Sequence, residues 1–358
     1  MTAHKAYKMI GLMSGTSGDG LDLAYCEFKL EHAQWSYQLL EHETVPFPEQ
    51  LGLALKNSHL INGLELSILD VQFGKWMGEK VRLFVGDKQI KVDAVASHGH
   101  TVFHQPDKGL SLQIGNGWAL HKASGLTVIN DFRMLDVQLG GQGAPLVPIG
   151  DRLLFGEYDY CVNLGGIANV SMEYSGLRLA FDICPFNLLL NHYANLLGKE
   201  YDKDGNIAKS GKLLHGLLDD LNKIRYYDLR GSKSLGREDL QPFFEVLEEK
   251  DYPTEDILHT LVHHFALQLQ HALKPLSGQV AKVLITGGGA FNKYFMETLK
   301  LALGESFSIV SASKELINYK EALIFAFLGV LRLRGENNCL FTVTGASRDN
   351  CGGTIYGF

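Results

Sequence analysis

The segment from residue 11 to residue 28 carries the residue types of a turn that holds a phosphate group. Glycines and hydroxyl side chains lie between two apolar stretches, and carboxylates follow them. Glycine lets backbone N–H groups approach an anion closely, and hydroxyls add further donors. The residues predicted to bind a nucleotide here are Gly15, Thr16, Ser17, Gly18, Asp19, Gly20 and Asp22. Asp19 suits a hydrated Mg²⁺ ion contacted through water, and an ordinary Asp-Gly hairpin is the alternative.

Two later segments repeat the pattern of an apolar strand followed by a glycine turn. They are NLGGIAN, residues 163–169, and ITGGGAFN, residues 285–292. The residues predicted to bind the nucleotide in them are Asn163, Gly165, Gly166, Gly287, Gly288 and Gly289. The Asn163 amide either bonds phosphate or braces its turn, and the three consecutive glycines suit an adenine or ribose. Because similar turns open both halves of the chain, two related half-domains are predicted.

The elements that must position these turns alternate between strands and helices, which predicts an α/β fold. A chain of 358 residues suggests two domains. The stretch LGGQGAPLVP, residues 139–148, marks the expected domain change. We predict a first domain of residues 1–130 with about 320–358, and a second of about 131–319. The four histidines of a predicted helix over residues 257–273 are interpreted as helix side chains rather than metal ligands.

Composition and motif content disfavour several classes of function. A net charge of −7 argues against a general binder of nucleic acid or anionic membranes. No apolar stretch approaches the length of a membrane-spanning helix or a signal peptide. The five scattered cysteines are typical of reduced thiols in a cytoplasmic protein. Neither a GxxxxGK[ST] loop nor a GxGxxG turn opening a Rossmann unit is present.

Ten segments spread over nearly the whole chain resemble one family, the anhydro-N-acetylmuramic acid kinases of the sugar kinase/Hsp70/actin superfamily. They are MSGTSGDGLD, SHGHTVFHQP, QIGNGWAL, DFRMLDVQLGGQGAPLVP, NLGGIANVS, FDICPFN, YDKDGNIAKSG, KSLGRE, GGGAFN and VTGASRDN. The fourth is too long for chance agreement. The resemblance implies a two-lobed, ribonuclease H-like fold with an interlobe cleft. In that fold, two glycine hairpins hold the phosphates from opposite lobes, and the GGG turn supports the adenosine.

The resemblance also implies an activity. The family uses ATP and Mg²⁺ to open the 1,6-anhydro ring of 1,6-anhydro-N-acetylmuramic acid and to phosphorylate O6. The product is N-acetylmuramic acid 6-phosphate, an intermediate of peptidoglycan recycling. A cytoplasmic homodimer with an amino sugar substrate is implied, with no nucleic-acid or membrane partner. A kinase for a related sugar or hydroxyl substrate and a non-catalytic nucleotide-binding sensor are the alternatives.

Asp182 occupies the position of the family's catalytic aspartate, in the family motif FDTGPGN. A carboxylate within hydrogen-bond reach of a water molecule can accept its proton as the water attacks carbon. We expect Asp182 just after an alternating strand over GLRLAF, where the strand end presents it to the cleft. The alternative is a cap on the helix that follows, and the two roles can coexist.

Four residues are assigned to the sugar side: His98, Arg133, Asn187 and Glu321. His98 matches the family's SHGQT motif, and Asn187 lies in the FDTGPGN motif. Arg133 suits the lactyl carboxylate of muramic acid, or else it pairs with an aspartate of the DFRMLD string. Glu321 matches a family glutamate that faces the sugar, or else it is a favourable charge at a helix N-terminus.

The sequence departs from the family motif just after Asp182. Where the family has a threonine and two glycines, this chain has Ile183, Cys184 and Phe186. A turn that accepts residues with a Cβ atom uses ordinary backbone angles, or the loop has moved. We expect the bulk of Phe186 beside Asp182, and therefore a remodelled sugar side next to intact nucleotide machinery.

Overall fold

Strands and helices alternate along the chain in the computed structural model, which confirms an α/β protein. The residues that it describes are 6–14, 20–229 and 233–357. They fall into a first unit (Met1–Leu154 with Tyr319–Phe358) and a second unit (Phe155–Asn318).

The elements are numbered in chain order. The strands are β1 (Ala6–Ser14), β2 (Gly20–Glu31), β3 (Gln34–Pro46), β4 (Ala94–Ser97), β5 (His100–Gln105), β6 (Leu110–Ile114), β7 (Val128–Asn130), β8 (Tyr160–Leu164), β9 (Ile167–Tyr174), β10 (Leu177–Pro185), β11 (Ala281–Thr286), β12 (Phe307–Ser311) and β13 (Thr354–Tyr356). The α-helices are α1 (Glu49–Lys56), α2 (Gly63–Lys88), α3 (Gly117–Ser124), α4 (Met134–Gln138), α5 (Val147–Leu154), α6 (Asn187–Leu196), α7 (Asn206–Ser210), α8 (His215–Asn222), α9 (Gln241–Glu248), α10 (Thr254–Ala272), α11 (Lys293–Leu303), α12 (Lys314–Arg334) and α13 (Phe341–Thr344). Among the described residues, no helix has the length and apolar character needed to cross a bilayer.

The large sheets of the two units share a strand order. The order is β13-β7-β4-β1-β2-β3 in the first unit and β10-β9-β8-β11-β12 in the second. In each, three antiparallel strands are followed by two parallel strands, which begin beside the first strand of the unit. In the first unit, β13 then pairs antiparallel with β7. Numbered within each unit, the common order is 3-2-1-4-5, which is the order of the ribonuclease H-like fold. This confirms the prediction of two related half-domains.

Helix α12 packs directly against the sheet of the first unit. A Cβ atom at Gly11 would overlap the carbonyl group of Ala322, and one at Gly329 would lie 2.7 Å from the Ala96 Cβ atom. These two glycines therefore permit a close approach of helix and strand. Gly11, which opens the predicted phosphate segment, serves packing.

Residues 131–154 belong to the first unit, although the sequence analysis assigns them to the second domain. The buried Asp136 carboxylate links them to the C-terminal segment. Its oxygens accept hydrogen bonds from Gly143 N at 2.8 Å, Thr344 Oγ1 at 2.9 Å and Asn350 Nδ2 at 2.8 Å. The chain therefore passes to the second unit after α5, later than predicted.

Helix α10 is buried in the core of the second unit, and its His264 has structural partners on both ring nitrogens. Nδ1 donates to Asn222 Oδ1, and Nε2 accepts from the Tyr227 hydroxyl, both at 2.8 Å. Burial lowers the pKa of His264 to about 3, so the ring is neutral. This histidine is a helix side chain that packs, in keeping with its interpretation.

Candidate active site

The first predicted phosphate turn joins β1 to β2. Gly15, Thr16, Ser17, Gly18 and Asp19 lie outside the described residues, and their nucleotide contacts stay predictions. Gly20 and Asp22 lie at the start of β2. A Cβ atom at Gly20 would lie 2.7 Å from the carbonyl oxygen of Val45 in the adjacent strand β3. Glycine at this position lets the exit of the turn lie close against β3.

The Asp22 carboxylate is held by the Thr44 hydroxyl, which bonds in turn to Tyr319. Thr44 Oγ1 donates to Asp22 Oδ1 at 2.6 Å and lies 3.0 Å from the Tyr319 hydroxyl. Because the Thr44 proton is directed to Asp22, Tyr319 is the donor in the second bond. Burial raises the pKa of Asp22, and the Thr44 bond opposes this shift. Asp22 Oδ2 keeps acceptor capacity for water in the shell of a metal ion.

His98 orients the guanidinium group of Arg133. Arg133 Nε and Nη2 lie 3.2 and 2.8 Å from His98 Nε2, and Nη1 donates to the Gly143 carbonyl oxygen at 2.7 Å. Since Nε2 accepts, the His98 proton is on Nδ1, which donates to the Gly99 carbonyl oxygen at 2.9 Å. Burial and the Arg133 charge lower the pKa of His98 well below its ordinary value, so this ring is neutral. Arg133 keeps N–H groups for a carboxylate ligand.

The Gly143 peptide connects Arg133 to Asp136. Its carbonyl oxygen accepts from Arg133, and its N–H donates to Asp136 Oδ2. Asp136 therefore supports Arg133 through the loop backbone. In the described part of the chain, Arg133 forms no ion pair with an aspartate of the DFRMLD string, so that alternative is wrong.

Glu321 lies in the interior of α12. The helix begins at Lys314, so the alternative of a charge at the helix N-terminus is wrong. The Glu321 side chain is partly exposed to solvent, but the surrounding protein removes water from its carboxyl group, and this desolvation raises the carboxyl pKa. Arg133 and Lys320 oppose this shift, and Asp22 reinforces it. Three residues predicted from different segments therefore interact electrostatically in the first unit.

The second and third glycine turns lie side by side, because β8 and β11 pair in parallel with Asn163 opposite Thr286. Gly287 has a φ of +82°, and a Cβ atom there would lie 2.5 Å from Asn163 Oδ1 and 2.8 Å from the carbonyl carbon of Leu164. Only glycine fits this position. A Cβ atom at Gly288 would meet no atom within 4 Å. The Gly288 backbone therefore borders open space, as a nucleoside contact requires.

The start of α6 closes over the second glycine turn. Phe186 N donates to Gly166 O at 2.8 Å, and Asn187 N donates to Gly165 O at 3.3 Å. Asn187 Nδ2 also donates, to Leu164 O at 3.2 Å. The Asn187 amide nitrogen therefore braces the turn, and only its Oδ1 keeps acceptor capacity for the sugar predicted to bind there.

Asp182 lies within β10, at a β-bulge whose extra residue is Ile183. Leu235 N donates to Asp182 Oδ2 at 2.8 Å. Burial raises the pKa of Asp182 to about 6, and the Leu235 bond opposes the shift. Helix α6 begins after Phe186 without a side-chain cap, so the capping alternative is wrong. Asp182 Oδ1 has no protein donor among the described residues and is therefore the oxygen able to accept a proton.

The three substituted residues of this loop point into the core of the second unit. Ile183, Cys184 and Phe186 are buried, and Phe186 has a negative φ of −119°, so this family glycine position does not require the left-handed conformation. The Phe186 ring packs 5.2 Å from Phe265 and 4.7 Å from Phe295 between centroids. It fills the space where a Cβ atom on Gly289 would lie. The expected apolar bulk beside Asp182 is therefore wrong, because this ring lies beneath the third glycine turn.

Three residues around Asp182 were missed by the sequence analysis. Tyr226 donates to Asp182 O, Lys233 O accepts from Asp182 N, and Leu235 N holds the carboxylate. Lys233 and Leu235 lie in KSLGRE, one of the ten segments that resemble the family, but no function was predicted for that segment. The predicted residues thus form two groups, one in each unit.

Comparison with known proteins identifies the family. The anhydro-N-acetylmuramic acid kinase family profile matches residues 7–357. The anhydro-N-acetylmuramic acid kinase of Pseudomonas syringae pv. syringae is 34% identical over 97% of this chain and 98% of its own, and that of Aliivibrio fischeri is 33% identical over 98% and 99%. Among solved structures, the ROK hexokinase from Thermus thermophilus covers 90% of this chain and 99% of its own at 14% identity, with a TM-score of 0.41. On the strength of the two sequence relatives and the profile, this chain belongs to the anhydro-N-acetylmuramic acid kinase family.

Proposed function

We propose that this kinase opens the 1,6-anhydro ring of 1,6-anhydro-N-acetylmuramic acid with water and phosphorylates O6. The product is N-acetylmuramic acid 6-phosphate. The observation that carries the proposal is the Asp182 carboxylate, because one oxygen is held by Leu235 N and the other is without a protein donor in the described chain. A pKa raised to about 6 makes it a stronger proton acceptor than an ordinary aspartate and leaves it ionised at neutral pH.

Asp182 accepts a proton from a water molecule while the water oxygen bonds to the anomeric carbon. The bond between that carbon and O6 breaks, and O6 takes the γ-phosphoryl group of ATP as the bond from that group to ADP breaks. The proton ends on the Asp182 carboxyl and leaves to solvent before the next turnover. MgATP supplies the γ-phosphoryl group and the charge that stabilises its transfer.

Each unit contains residues assigned to the sugar. Arg133 pairs with the lactyl carboxylate through the N–H groups that His98 and Gly143 leave available. Glu321 accepts from a sugar hydroxyl or amide, since a carboxylate offers acceptors in several directions. Asn187 accepts through Oδ1.

The two glycine turns of the second unit are assigned to ATP. The open space at Gly288 and the left-handed Gly287 suit a backbone contact with the adenosine. Asn163, Gly165 and Gly166 are assigned to the phosphates of ATP. The same assignment gives residues 15–19 to the phosphates and Asp19 to Mg²⁺ through water. Asp22 Oδ2 supports the same water shell.

Family membership also supports a homodimer, a cytoplasmic location and a role in peptidoglycan recycling. Light scattering coupled to size-exclusion chromatography tests the dimer directly. A monomer at micromolar concentration contradicts it.

The deciding experiment incubates the protein with 1,6-anhydro-N-acetylmuramic acid, ATP and Mg²⁺ and follows the phosphorylated sugar by ³¹P NMR and mass spectrometry. We expect a product heavier than the substrate by one water and one phosphoryl group. N-acetylmuramic acid and glucose are the comparison substrates. Product from one of these alone favours the related-sugar alternative. Retained ATP-analogue binding with no product from any sugar favours the sensor.

A further inference from the structure

Three residues, Tyr226, Lys233 and Leu235, contact Asp182 at the outer edge of β10. Among the residues that the structure describes, β10 is the terminal strand of its sheet, and one side of it has no strand partner. Asp182 N donates to Lys233 O at 2.9 Å, and the Tyr226 hydroxyl donates to Asp182 O at 2.7 Å. Tyr226 and Lys233 therefore hold both backbone groups of Asp182 in place of a strand.

Leu235, one of these three residues, also holds the Asp182 carboxylate. A β-bulge redirects side chains, so the orientation of Asp182 depends on contacts from outside its own strand. Leu235 N supplies that contact, to Oδ2 at 2.8 Å. It comes from a residue 53 positions away in the chain.

Lys233 is fixed by two tyrosine rings. Its Nζ lies 4.3 Å from the ring centroid of Tyr226 and 5.7 Å from that of Tyr227, and it donates to Tyr226 O at 3.2 Å. The Tyr227 hydroxyl bonds to His264 of the buried helix α10. These contacts anchor the backbone at Lys233, whose carbonyl oxygen holds Asp182.

We infer that Tyr226 and Lys233 are positioning residues for Asp182, which hold its backbone and, together with the Leu235 N–H, aim Oδ1 of its carboxylate. The inference rests on the proposed function, in which Asp182 accepts the proton. Removing the Tyr226 hydroxyl or the Lys233 ammonium group loosens these contacts without changing a group that reacts.

The acid limb of the pH profile reports on this arrangement. The ionisable groups around the carboxylate are Tyr226, Lys233 and Cys184, with Asp239 near Tyr226. Burial raises the pKa of Asp182, and the Leu235 bond opposes it to a smaller extent. Loosening the contacts of Tyr226 and Lys233 weakens both the burial of Asp182 and the Leu235 bond. The pKa of Asp182 then falls, because burial has the larger effect.

The test compares Tyr226→Phe and Lys233→Met with wild type at saturating MgATP. Tyr174→Phe and Lys199→Met are matched controls, because both residues are exposed. We expect kcat to fall by about 10- to 100-fold in the test variants, as for a slightly misplaced catalytic group. The acid limb of kcat/KM for the sugar should move to lower pH by about one unit. The controls should match wild type, and KM for ATP should stay within about twofold.

Each outcome decides the inference. A lower kcat with an unmoved acid limb indicates a general structural defect and overturns it, as does a kcat equal to wild type. Thermal unfolding and ATP-analogue binding verify that each variant is folded. If one variant fails to fold, the other carries the test, since Lys233→Met keeps the Tyr226 hydroxyl. A wild-type protein that makes no phosphorylated sugar contradicts the proposed function itself, and this is seen before any variant is made.

Discussion

Arg133 in the first unit and Asp182 in the second are held by different kinds of contact. Arg133 is oriented by the side chain of His98 and by the Gly143 peptide, which the Asp136 carboxylate holds in turn. The Asp182 carboxylate is oriented by one backbone N–H, that of Leu235. A side-chain relay fails when any one of its members is replaced. A backbone donor survives replacement of its own side chain, so Leu235 is expected to tolerate substitution, and Asp182 depends instead on the residues that hold this backbone in place.

The largest effect is expected from Asp182→Asn. The amide keeps an oxygen for Leu235 N but cannot accept the proton, so kcat should fall by about a thousandfold. Calorimetric titration with a non-hydrolysable ATP analogue should show unchanged affinity. Turnover near that of wild type would show that Asp182 is not the proton acceptor.

Replacement of Arg133 by lysine tests the relay of the first unit. Lysine keeps the charge but lacks the planar fork that binds both His98 and a carboxylate. KM for the sugar should rise by about 10- to 100-fold, the equivalent of roughly 1.5–3 kcal/mol for a hydrogen bond to a charged group. Steady-state kinetics at varied sugar concentration measures it. Arg82→Lys, a change at a solvent-facing position of α2, is the control. An unchanged KM shows that Arg133 does not contact the sugar.

The pH profile separates the two regions in the wild-type protein. Asp182 must be ionised to accept a proton, and its pKa is raised from 3.8 to about 6. Activity should therefore be full above this value and fall by about tenfold for each pH unit below it. The pKa of His98 lies well below 6.5, and that of Arg133 is about 10, so neither of these two residues adds a limb in this range. Initial rates between about pH 4.5 and 8, on both sides of the Asp182 pKa, provide the measurement. A limb near the ordinary aspartate pKa contradicts burial of Asp182.

The smallest effect is expected from Phe186→Leu. The smaller side chain leaves part of the space beneath Gly289 empty, which lowers the free energy of unfolding by about 1–2 kcal/mol. The third glycine turn then loses support, and KM for ATP should rise by about two- to fivefold. Phe307→Leu, at a partly buried position packed against the same core, is the control. A change in sugar KM instead would place Phe186 on the sugar side after all.

The α/β class, the two related halves and the position of the glycine turns followed from local patterns. Apolar alternation identifies strands such as β1 and β11, and glycine runs identify turns that approach other groups closely. The direction of the Phe186 side chain did not follow, because neighbours in the chain do not specify which of two surroundings a ring enters. It was decided by the space between Phe265, Phe295 and Gly289.

Residue types and short motifs in this chain are sufficient to nominate Asp182, Arg133 and the glycine turns, because chemistry of this kind depends on which groups are present. How each group is held depends on contacts between distant segments. Asp136 bonds Asn350, 214 positions away, and Leu235 bonds Asp182 across 53 positions. Such pairs have no local signature, since a hydrogen bond forms wherever folding brings a donor to an acceptor. The fold therefore determines which oxygen of Asp182 is left to take a proton.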